Sequence, residues 1–364
     1  VDGWFFAPQM RKAHANGNMA YIPNHLHLAC TKRLQFVKPN IYVGAASMPD
    51  KHGYVSLSLS NTYEKRMLEA ADLVILEVNP NMPYTLGDLQ VPVSEVDYLV
   101  RADYAPPVIP DAPFSEKDAA IGKLIAEMVP DGSCIQLGIG GIPNAVAAAL
   151  EQKNDLGVHT EMLTSGMMRL AKMGVINGKC KQTYRGKMVT TFAMGVPELY
   201  EFIDYNPAVA VMDGAWVNDP YVIAQNDNQV SINTSLEVDL TGQCASESLG
   251  SRQFSGTGGQ SDTAVGAQMS KNGKSIIALY STAMVKGPDG QKQEVSKIVP
   301  QLMPGAAVSL SRNDVDRVVT EYGVAELRGT SIRDRVARLI EIAHPKFREQ
   351  LWDQAVEVGI LGRR

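Results

Sequence analysis

A regular alternation of short apolar runs and helix-like segments after residue 133 most constrains the fold of this chain. The apolar runs are CIQLGIG (134–140), GVHTEML (157–163), MVTTFAMG (188–195) and AVAVMDGAW (208–216). Between them lie stretches with helical spacing, IPNAVAAALEQK (142–153), MRLAKMGVI (168–176) and PELYEFIDY (197–205). Strands that alternate with helices predict an α/β fold with a largely parallel sheet.

The remaining elements are predicted from the same two kinds of pattern, short apolar runs for strands and helical spacing for helices. Before residue 104 we expect strands at IYVGAAS (41–47), YVSLSLS (54–60) and LVILEVN (73–79), with a helix at EKRMLEAAD (64–72). Period-two alternation in QVSINTSLEVDLTGQ (229–243) predicts an added β-hairpin. Further strands are expected at IIALYSTA (276–283) and AAVSLSR (306–312), before an amphipathic C-terminal helix that Pro345 interrupts.

A proline-rich stretch divides the chain. YAPPVIPDAPF (104–114) holds four prolines, which can continue neither a helix nor a central strand, so it reads as a linker. Ser115 then fits a helix N-cap. With 364 residues, two domains are the natural expectation, and we place them at 1–113 and 114–364.

Composition excludes several classes of partner. The net charge of −5 and the pI of about 5.8 argue against a nucleic-acid or anionic-membrane surface. Apolar stretches such as AVAAAL (145–150) are too short to cross a membrane. The four cysteines lack CxxC spacing, which favours reduced thiols in a cytoplasmic protein.

Two glycine-rich turns could bind a ligand through their backbone. LGIGGIPNAV (137–146) is a strand, a glycine turn and a helix, and such a turn exposes N–H groups to a phosphate or an oxyanion. It matches neither GxGxxG nor a Walker loop, so a plain tight turn is an equal alternative. FSGTGGQSD (254–262) is either a second ligand-binding loop or a flexible surface loop.

Glu161 stands inside the apolar run GVHTEML, twenty residues after Gly141. Because ligands of parallel α/β sheets collect at the carboxyl ends of strands, we expect Glu161 and the first glycine turn at the same sheet edge. The alternative is a strand-end carboxylate in water. His25 and His27 have no third metal ligand at convincing spacing and are interpreted as packing or surface histidines.

Six stretches together resemble a known family. They are EVNPNMPYTLGD (77–88), VSEVD (93–97), QLGIGGIPNAV (136–146), HTEM (159–162), FSGTGGQSD (254–262) and SRNDVDRVVTEYGVAELRG (311–329). The chain resembles the acetyl-CoA hydrolase/transferase family, and within it the 4-hydroxybutyrate and butyrate:acetate type CoA-transferases. The resemblance implies two open-sheet CoA-transferase-like domains with the active site at their interface, and a homo-oligomer. Family members carry further sequence upstream, so it also implies a first domain that is incomplete at its start.

The resemblance assigns roles to individual residues. It implies that Glu161 is catalytic. Glu237 is a competing candidate, but it stands in the predicted hairpin and not at a strand end beside the glycine turn, and we interpret Asp239 and Glu77 as structural. Coenzyme A contacts are implied at two glycine loops and one strand end, namely Gly138, Ile139, Gly140, Gly141, Ile142, Gly258, Gly259 and Ser281.

The implied reaction moves coenzyme A from a short-chain acyl-CoA to a carboxylate such as acetate, through a glutamyl-CoA thioester and without a metal. Glu161 is expected to be ionised near neutral pH, because model glutamate titrates at about 4.3. Two alternatives stay open: an acyl-CoA hydrolase on the same scaffold, and a catalytically silent protein that binds coenzyme A.

Overall fold

The computed structural model describes residues 1–287 and 290–362 and has a mixed α/β architecture. Its largest sheet has six strands, and their spatial order begins at an antiparallel edge strand. The order is Gly323–Glu326, Arg317–Thr320, Lys274–Ala278, Gln229–Thr234, Cys134–Leu137 and Gly157–Val158. All other neighbours in this sheet run parallel, which confirms the α/β class.

The first part of the chain forms its own sheet. Three parallel strands, Ile41–Ala46, Leu73–Val78 and Tyr98–Arg101, lie side by side with Leu73–Val78 in the middle. Tyr54–Ser56 pairs antiparallel with Gln90–Pro92. The predicted strands at 41–47 and 73–79 are therefore confirmed, whereas only the first three residues of the run 54–60 form a strand.

Several short strand pairs form separate two-stranded sheets. They are Asp2–Gly3 with Ala20–Tyr21, Met162–Leu163 with Phe192–Ala193, Met188–Thr190 with Val209–Val211, Ser248–Leu249 with Arg252–Gln253, and Thr282–Lys286 with Lys292–Ser296. A small sheet joins Glu237–Asp239 to Cys244–Ala245 and to Ile298–Val299.

The helices cover the sheets. The α-helices are Pro8–Ala15, Ala29–Leu34, Glu64–Ala70, Glu116–Glu127, Gly141–Ala149, Ser165–Lys172, Pro197–Ile203, Gly214–Val217, Pro220–Ile223, Gln260–Met269, Ile332–Glu341 and Arg348–Glu357. Short 3-10 helices span Leu26–Leu28, Val93–Glu95 and Pro345–Phe347. None of these helices combines the length and the apolar character that a membrane span requires. The break before Pro345 confirms the predicted interruption of the C-terminal helix.

The helix after the linker begins where the sequence predicts it. Ser115 forms a capping box: its side chain accepts from the backbone N–H of Asp118, and the Asp118 carboxylate accepts from the backbone N–H of Ser115. This helix packs closely on the helix Gly141–Ala149, since a Cβ atom on Gly122 would lie 2.8 Å from the backbone of Ala145. The packing fixes the helix that follows the first glycine turn.

Two strand predictions are wrong. The expected hairpin at 229–243 does not form, because Gln229–Thr234 lies between two parallel partners inside the large sheet and Glu237–Asp239 belongs to another sheet. Period two identifies a strand but not its partner. The segment 306–312 contains no strand, only one bridge from Leu310 to Cys244. Its apolar residues serve packing, and Leu310 is fully buried.

Candidate active site

Glu161 lies where the chain leaves one sheet and enters another. The predicted strand GVHTEML is two short strands: Gly157–Val158 pairs with Cys134–Leu137, and Met162–Leu163 pairs with Phe192–Ala193. Glu161 occupies the break between them. Its backbone carbonyl accepts from the N–H groups of Thr191 at 3.0 Å and Phe192 at 3.1 Å. The break is thus held by hydrogen bonds, which gives the side chain a rigid mount.

Two donors contact the Glu161 carboxylate. The Asn218 side chain donates from Nδ2 to Oε2 at 2.8 Å, and the backbone N–H of Gly259 donates to the same carboxylate. Asn218 follows the short helix Gly214–Val217, its backbone N–H donates to Gly214, and its side chain is fully buried. The half-buried Glu161 carboxylate therefore accepts hydrogen bonds from the side-chain amide of Asn218 and the backbone amide of Gly259.

The loop residue Gly259 approaches the carboxylate so closely that no side chain fits there. A Cβ atom on Gly259 would lie 2.0 Å from both Glu161 Oε2 and Asn218 Nδ2. Its neighbour Gly258 has a φ of +59°, the left-handed conformation that glycine adopts without strain. The second glycine cluster is thus packed against Glu161. The sequence interpretation expected a ligand to approach the backbone of this loop, and that contact stays a prediction.

The pKa of Glu161 is raised from its ordinary value to about 7. Burial is the main cause, and the charge of Asp262 adds to it, whereas the hydrogen bonds from Asn218 and Gly259 lower the pKa. The prediction that Glu161 is ionised near neutral pH took no account of this upward shift. At pH 7 the protonated and ionised forms coexist, because water that stabilises a free glutamate is replaced by protein.

Asp262 connects this acid to the first part of the chain. Its carboxylate accepts from the backbone N–H of His27 at 3.2 Å, and His27 Nδ1 lies 2.8 Å from its Oδ1. Burial lowers the pKa of His27, but the hydrogen bond and charge of Asp262 raise it, and the net direction is upward. The interpretation of His27 as a packing or surface residue missed this ion pair. The other histidine, His25, lies further from Asp262, with its Nδ1 atom 3.5 Å from Oδ1.

A cavity of about 270 Å³ opens beside Glu161. Five of the predicted site residues line it: Glu161, Gly138, Ile139, Gly258 and Gly259. Phe5, from the first part of the chain, also lines it, together with side chains such as Gln136, Asn233 and Gln260. The first glycine turn and Glu161 therefore line one cavity, as the strand-end argument predicted, and the second glycine loop lines it as well.

The other predicted coenzyme A contacts lie outside that lining. Gly140 precedes the helix Gly141–Ala149 with a φ of +116°, and Ile142 is buried in the core. A Cβ atom on Gly141 would lie 3.0 Å from Asp118, so this glycine serves close packing. Ser281 is fully buried and donates to Glu321 through its backbone N–H at 2.9 Å and its hydroxyl at 2.8 Å. Contacts between these four residues and coenzyme A stay predictions.

The competing acid Glu237 lies elsewhere. It is buried, accepts from the backbone N–H of Met303 at 2.9 Å and is absent from the described residues that line the cavity. Asp239 accepts hydrogen bonds from Thr241 and Gln243, and Glu77 accepts one from Tyr104. These contacts fit the structural roles that the sequence indicated for Asp239 and Glu77.

Asn218 and Asp262 are the site residues that sequence reasoning missed. Asn218 stands in AWVNDP, and nothing in that stretch distinguishes it from a helix-terminal asparagine. Asp262 ends the motif FSGTGGQSD, which pointed to this loop but not to the residue. In the described part of the chain, no group of three or more His, Cys, Asp or Glu side chains is arranged to hold a metal ion.

Comparison with known proteins identifies the family. The family model for the acetyl-CoA hydrolase/transferase N-terminal domain matches residues 2–110, and the model for the C-terminal domain matches residues 195–355. The N-terminal match begins at residue 2 and gives no support to the predicted incomplete start. The domain boundary at 113/114 stays a prediction.

Relatives and solved structures agree with these matches. The chain is 50% identical to the 4-hydroxybutyrate coenzyme A transferase of Clostridium kluyveri, over 85% of this chain and 70% of that protein. It is 45% identical to the succinyl-CoA:cyclohexane-1-carboxylate CoA transferase of Geobacter metallireducens, over 98% of this chain and 80% of that protein. The crystal structure of the 4-hydroxybutyrate CoA-transferase of Porphyromonas gingivalis matches with a TM-score of 0.81 at 38% identity, covering 95% of this chain and 82% of that one.

The acetyl-CoA hydrolases among the relatives are less similar in sequence than these transferases. The acetyl-CoA hydrolase of Candida albicans is 26% identical, over 78% of this chain and 59% of that protein. The family models, the relatives and the fold together show that the chain belongs to the acetyl-CoA hydrolase/transferase family, and within it to the CoA-transferases.

Proposed function

We propose that this protein transfers coenzyme A between a short-chain acyl-CoA and a free carboxylate such as acetate, with Glu161 as the covalent nucleophile. The observation that carries the proposal is the Glu161 carboxylate, held by Asn218 and Gly259 at a cavity that both glycine loops line. A rigid, partly dehydrated carboxylate gains reactivity from proximity and from the removal of water.

The proposed reaction balances without an added acid, base or metal. The ionised Glu161 oxygen attacks the thioester carbonyl carbon, the C–S bond breaks, and an acyl-glutamyl anhydride and the coenzyme A thiolate form. The thiolate then attacks the Glu161 carbonyl carbon, the anhydride C–O bond breaks, and the first carboxylate leaves. An acceptor carboxylate reverses both steps, which regenerates Glu161 and releases a new acyl-CoA. This is ping-pong covalent catalysis.

Each attack passes through an oxyanion that needs hydrogen-bond donors. The backbone N–H of Gly259 already contacts the carboxylate, and the turn that contains Gly138 and Ile139 faces the same cavity. Loss of one such donor typically costs roughly a hundredfold or more in rate. The contribution of Phe5 to the cavity, together with the His27–Asp262 pair, supports an active site between the two predicted domains.

The covalent intermediate provides the test. The protein is incubated with butyryl-CoA, treated with borohydride and digested, and the peptides are examined by mass spectrometry. We expect reduction of the thioester to convert Glu161 alone to its primary alcohol. Modification of Glu237 instead would keep the chemistry and overturn the site. No modification of any residue, in protein that binds coenzyme A, would overturn the covalent mechanism.

The two alternatives differ from transfer in simple assays. A hydrolase consumes acyl-CoA without an added carboxylate, whereas a transferase requires acetate or another acceptor. A silent coenzyme A-binding protein is stabilised by coenzyme A but forms no product from acyl-CoA and acetate. The cytoplasmic location and the self-association predicted from the sequence stay proposals, and the four free cysteines fit a reducing compartment.

A further inference from the structure

The motif HTEM contains a histidine, His159, that the proposed mechanism does not use. The residue is only 1% exposed, so its ring does not face a substrate. Its Nε2 atom lies 2.7 Å from the backbone carbonyl oxygen of Val217. The next residue is Asn218, whose side-chain amide donates to Glu161. His159 therefore contacts the immediate neighbour of the residue that holds the nucleophile.

The surroundings of His159 fix which ring nitrogen carries the proton. A carbonyl oxygen only accepts, so the Nε2 atom donates to Val217. The other nitrogen, Nδ1, lies 3.5 Å from the Nδ2 atom of Asn226, which can donate to it. Burial is the main reason that the pKa of His159 is lowered to about 3, and the charge of Lys181 lowers it as well. The ring is therefore neutral and directs one donor at Val217 throughout the neutral pH range.

Two hydrogen bonds connect the segment that carries Glu161 to the end of the helix Gly214–Val217. The His159 imidazole binds the carbonyl of the last helical residue, and two positions later the Glu161 carboxylate binds the amide of Asn218. The helix has only four residues, so its position depends on tertiary contacts and not on its own stability. The hydrogen bond from His159 is one of those contacts.

The side-chain amide of Asn218 is not held in place by a second hydrogen bond of its own. Its Nδ2 atom donates to Glu161, and no donor among the described residues reaches its buried Oδ1 atom. The backbone N–H of Asn218 donates to Gly214, within the same helical turn. The position of the amide therefore follows the position of the helix end, to which His159 is bonded.

We propose that His159 is a positioning residue: by holding the carbonyl of Val217, it keeps the Asn218 amide against the nucleophile. The proposal rests on the proposed function, in which Glu161 must be ionised to attack. Val217 is fully buried, so loss of the His159 donor would leave its carbonyl without this hydrogen bond and favour a shift of the helix end. The Asn218 amide would move with it, and the ionised form of Glu161 would lose a donor.

The ionisation of Glu161 reports on this arrangement, because the hydrogen bond from Asn218 lowers its pKa. Other titratable groups also surround the two residues. They are Asp262 with His25, His27 and Asp219 on the side of Glu161, and Lys181 with Cys134 on the side of His159. These groups are the same in every variant compared below, so a change in the pKa of Glu161 is assigned to the hydrogen bond from Asn218.

Substitutions that keep, shorten or remove the donor test the proposal. The amide nitrogen of glutamine can occupy the place of the imidazole Nε2 atom, whereas the asparagine amide is one methylene shorter and methionine has no donor. We expect His159→Asn and His159→Met to move the acid limb of kcat/KM to higher pH by about one pH unit, the effect of a weakened hydrogen bond to a charged group. At pH 6 this shift lowers kcat/KM about 10-fold relative to the plateau of the same variant.

Two controls accompany these variants. His159→Gln keeps the donor and should keep the acid limb of the wild type, and His52→Met, at an exposed position, should do the same. A folded His159→Met protein whose acid limb coincides with that of the wild type would overturn the proposal, even if its plateau is lower. A lower plateau alone is what a merely structural histidine would produce.

A double-mutant cycle tests whether His159 acts through Asn218. The pKa of Glu161 is measured by carbon-13 NMR of the glutamate carboxyl groups, with Glu161→Gln to assign the resonance. In the Asn218→Ala protein, we expect His159→Met to raise this pKa no further, because the donor is already absent. A second shift of the same size as in the wild-type background would overturn the route through Asn218.

The NMR measurement needs no turnover, so it separates this proposal from the proposed function. If the wild-type protein transfers coenzyme A from no acyl-CoA to acetate, the proposed function is wrong, and the pKa of Glu161 in the variants still decides the role of His159. Should the variants fail to fold, nitrogen-15 NMR of the wild-type imidazole decides. We expect the proton on Nε2 and no titration between pH 5 and pH 9. A proton on Nδ1, or a titration in this range, would overturn the proposal.

Discussion

The Asn218 side-chain amide lies 2.8 Å from the Oε2 atom of Glu161 and donates a hydrogen bond to it. Burial opposes ionisation of Glu161, and this bond favours it, so the two effects set the fraction of the nucleophile that is charged. Because only the ionised carboxylate attacks a thioester in the proposed reaction, Asn218 controls how much competent enzyme exists at neutral pH.

Replacement of Asn218 by Asp should raise the pKa of Glu161 further, since it exchanges a donor for a second carboxylate at nearly the same position. We expect kcat/KM at pH 7 to fall about 10- to 100-fold, in line with the energy of a hydrogen bond to a charged group. The acid limb of the pH profile should move to higher pH. Asn313→Asp, at an exposed position, is the matched control. An unchanged profile for Asn218→Asp would contradict this role.

The sequence was sufficient to predict the strongly periodic elements. The helix after Ser115, the strands at 41–46 and 73–78 and the C-terminal helices follow from local periodicity and capping, and the structure confirms them. The hairpin at 229–243 was wrong because partner choice depends on the whole sheet, in which Ile232 pairs with both Leu137 and Ile276. A period-two pattern contains no information about which distant strand will be the partner.

The candidate site was predictable to a similar degree. The glycine loops and Glu161 stand in recognisable sequence motifs. Because the carboxyl ends of parallel strands share one sheet edge, the first glycine turn and Glu161 could be placed together from the order of the strands. Asn218 reaches Glu161 from a position 57 residues later, through a short helix whose placement only the folded chain fixes. The raised pKa of Glu161 was missed for the same reason, because burial is a property of the packed site and not of the residue.

The activity of the wild-type protein should rise with pH through neutrality. With the pKa of Glu161 at about 7, the ionised fraction is small at pH 5.5 and nearly complete at pH 8.5. We expect log(kcat/KM) for butyryl-CoA to increase with unit slope below the pKa and to reach a plateau above it. Measurement of kcat/KM with acetate in excess across this range checks the prediction, and a flat profile through pH 7 would contradict it.

The stability of the protein should change with pH in the direction opposite to its activity. The pKa of Glu161 is higher in the folded protein than its ordinary value of 4.5, so the folded state binds more protons between these pKa values and its stability falls as the pH rises towards 7. Glu161→Gln removes this dependence. We expect the gain in Tm of the variant over the wild type to be larger at pH 8 than at pH 5, by a few degrees. A gain that is equal at both pH values would contradict the linkage.

Replacement of Asp262 by Asn should move the activity profile in the direction opposite to Asn218→Asp. The charge of Asp262 raises the pKa of Glu161, so its removal lowers that pKa. The acid limb of kcat/KM should shift to lower pH. The change also weakens the contact with His27, and binding of coenzyme A, measured by calorimetry, separates this loss from the shift. A shift to higher pH would show that Asp262 acts through the position of the loop and not through its charge.

A single methyl group on Gly259 should disable the site while the fold persists. A Cβ atom there would lie 2.0 Å from Glu161 Oε2 and from Asn218 Nδ2, so Gly259→Ala must displace the carboxylate, its amide donor or the loop. We expect kcat to fall at least about 100-fold, the usual effect of losing an aligned donor. Gly362→Ala, where no atom lies within 4 Å, is the control and should keep full activity. Circular dichroism separates this loss from unfolding, and a folded Gly259→Ala protein with normal kcat would show that the loop does not have to touch the nucleophile.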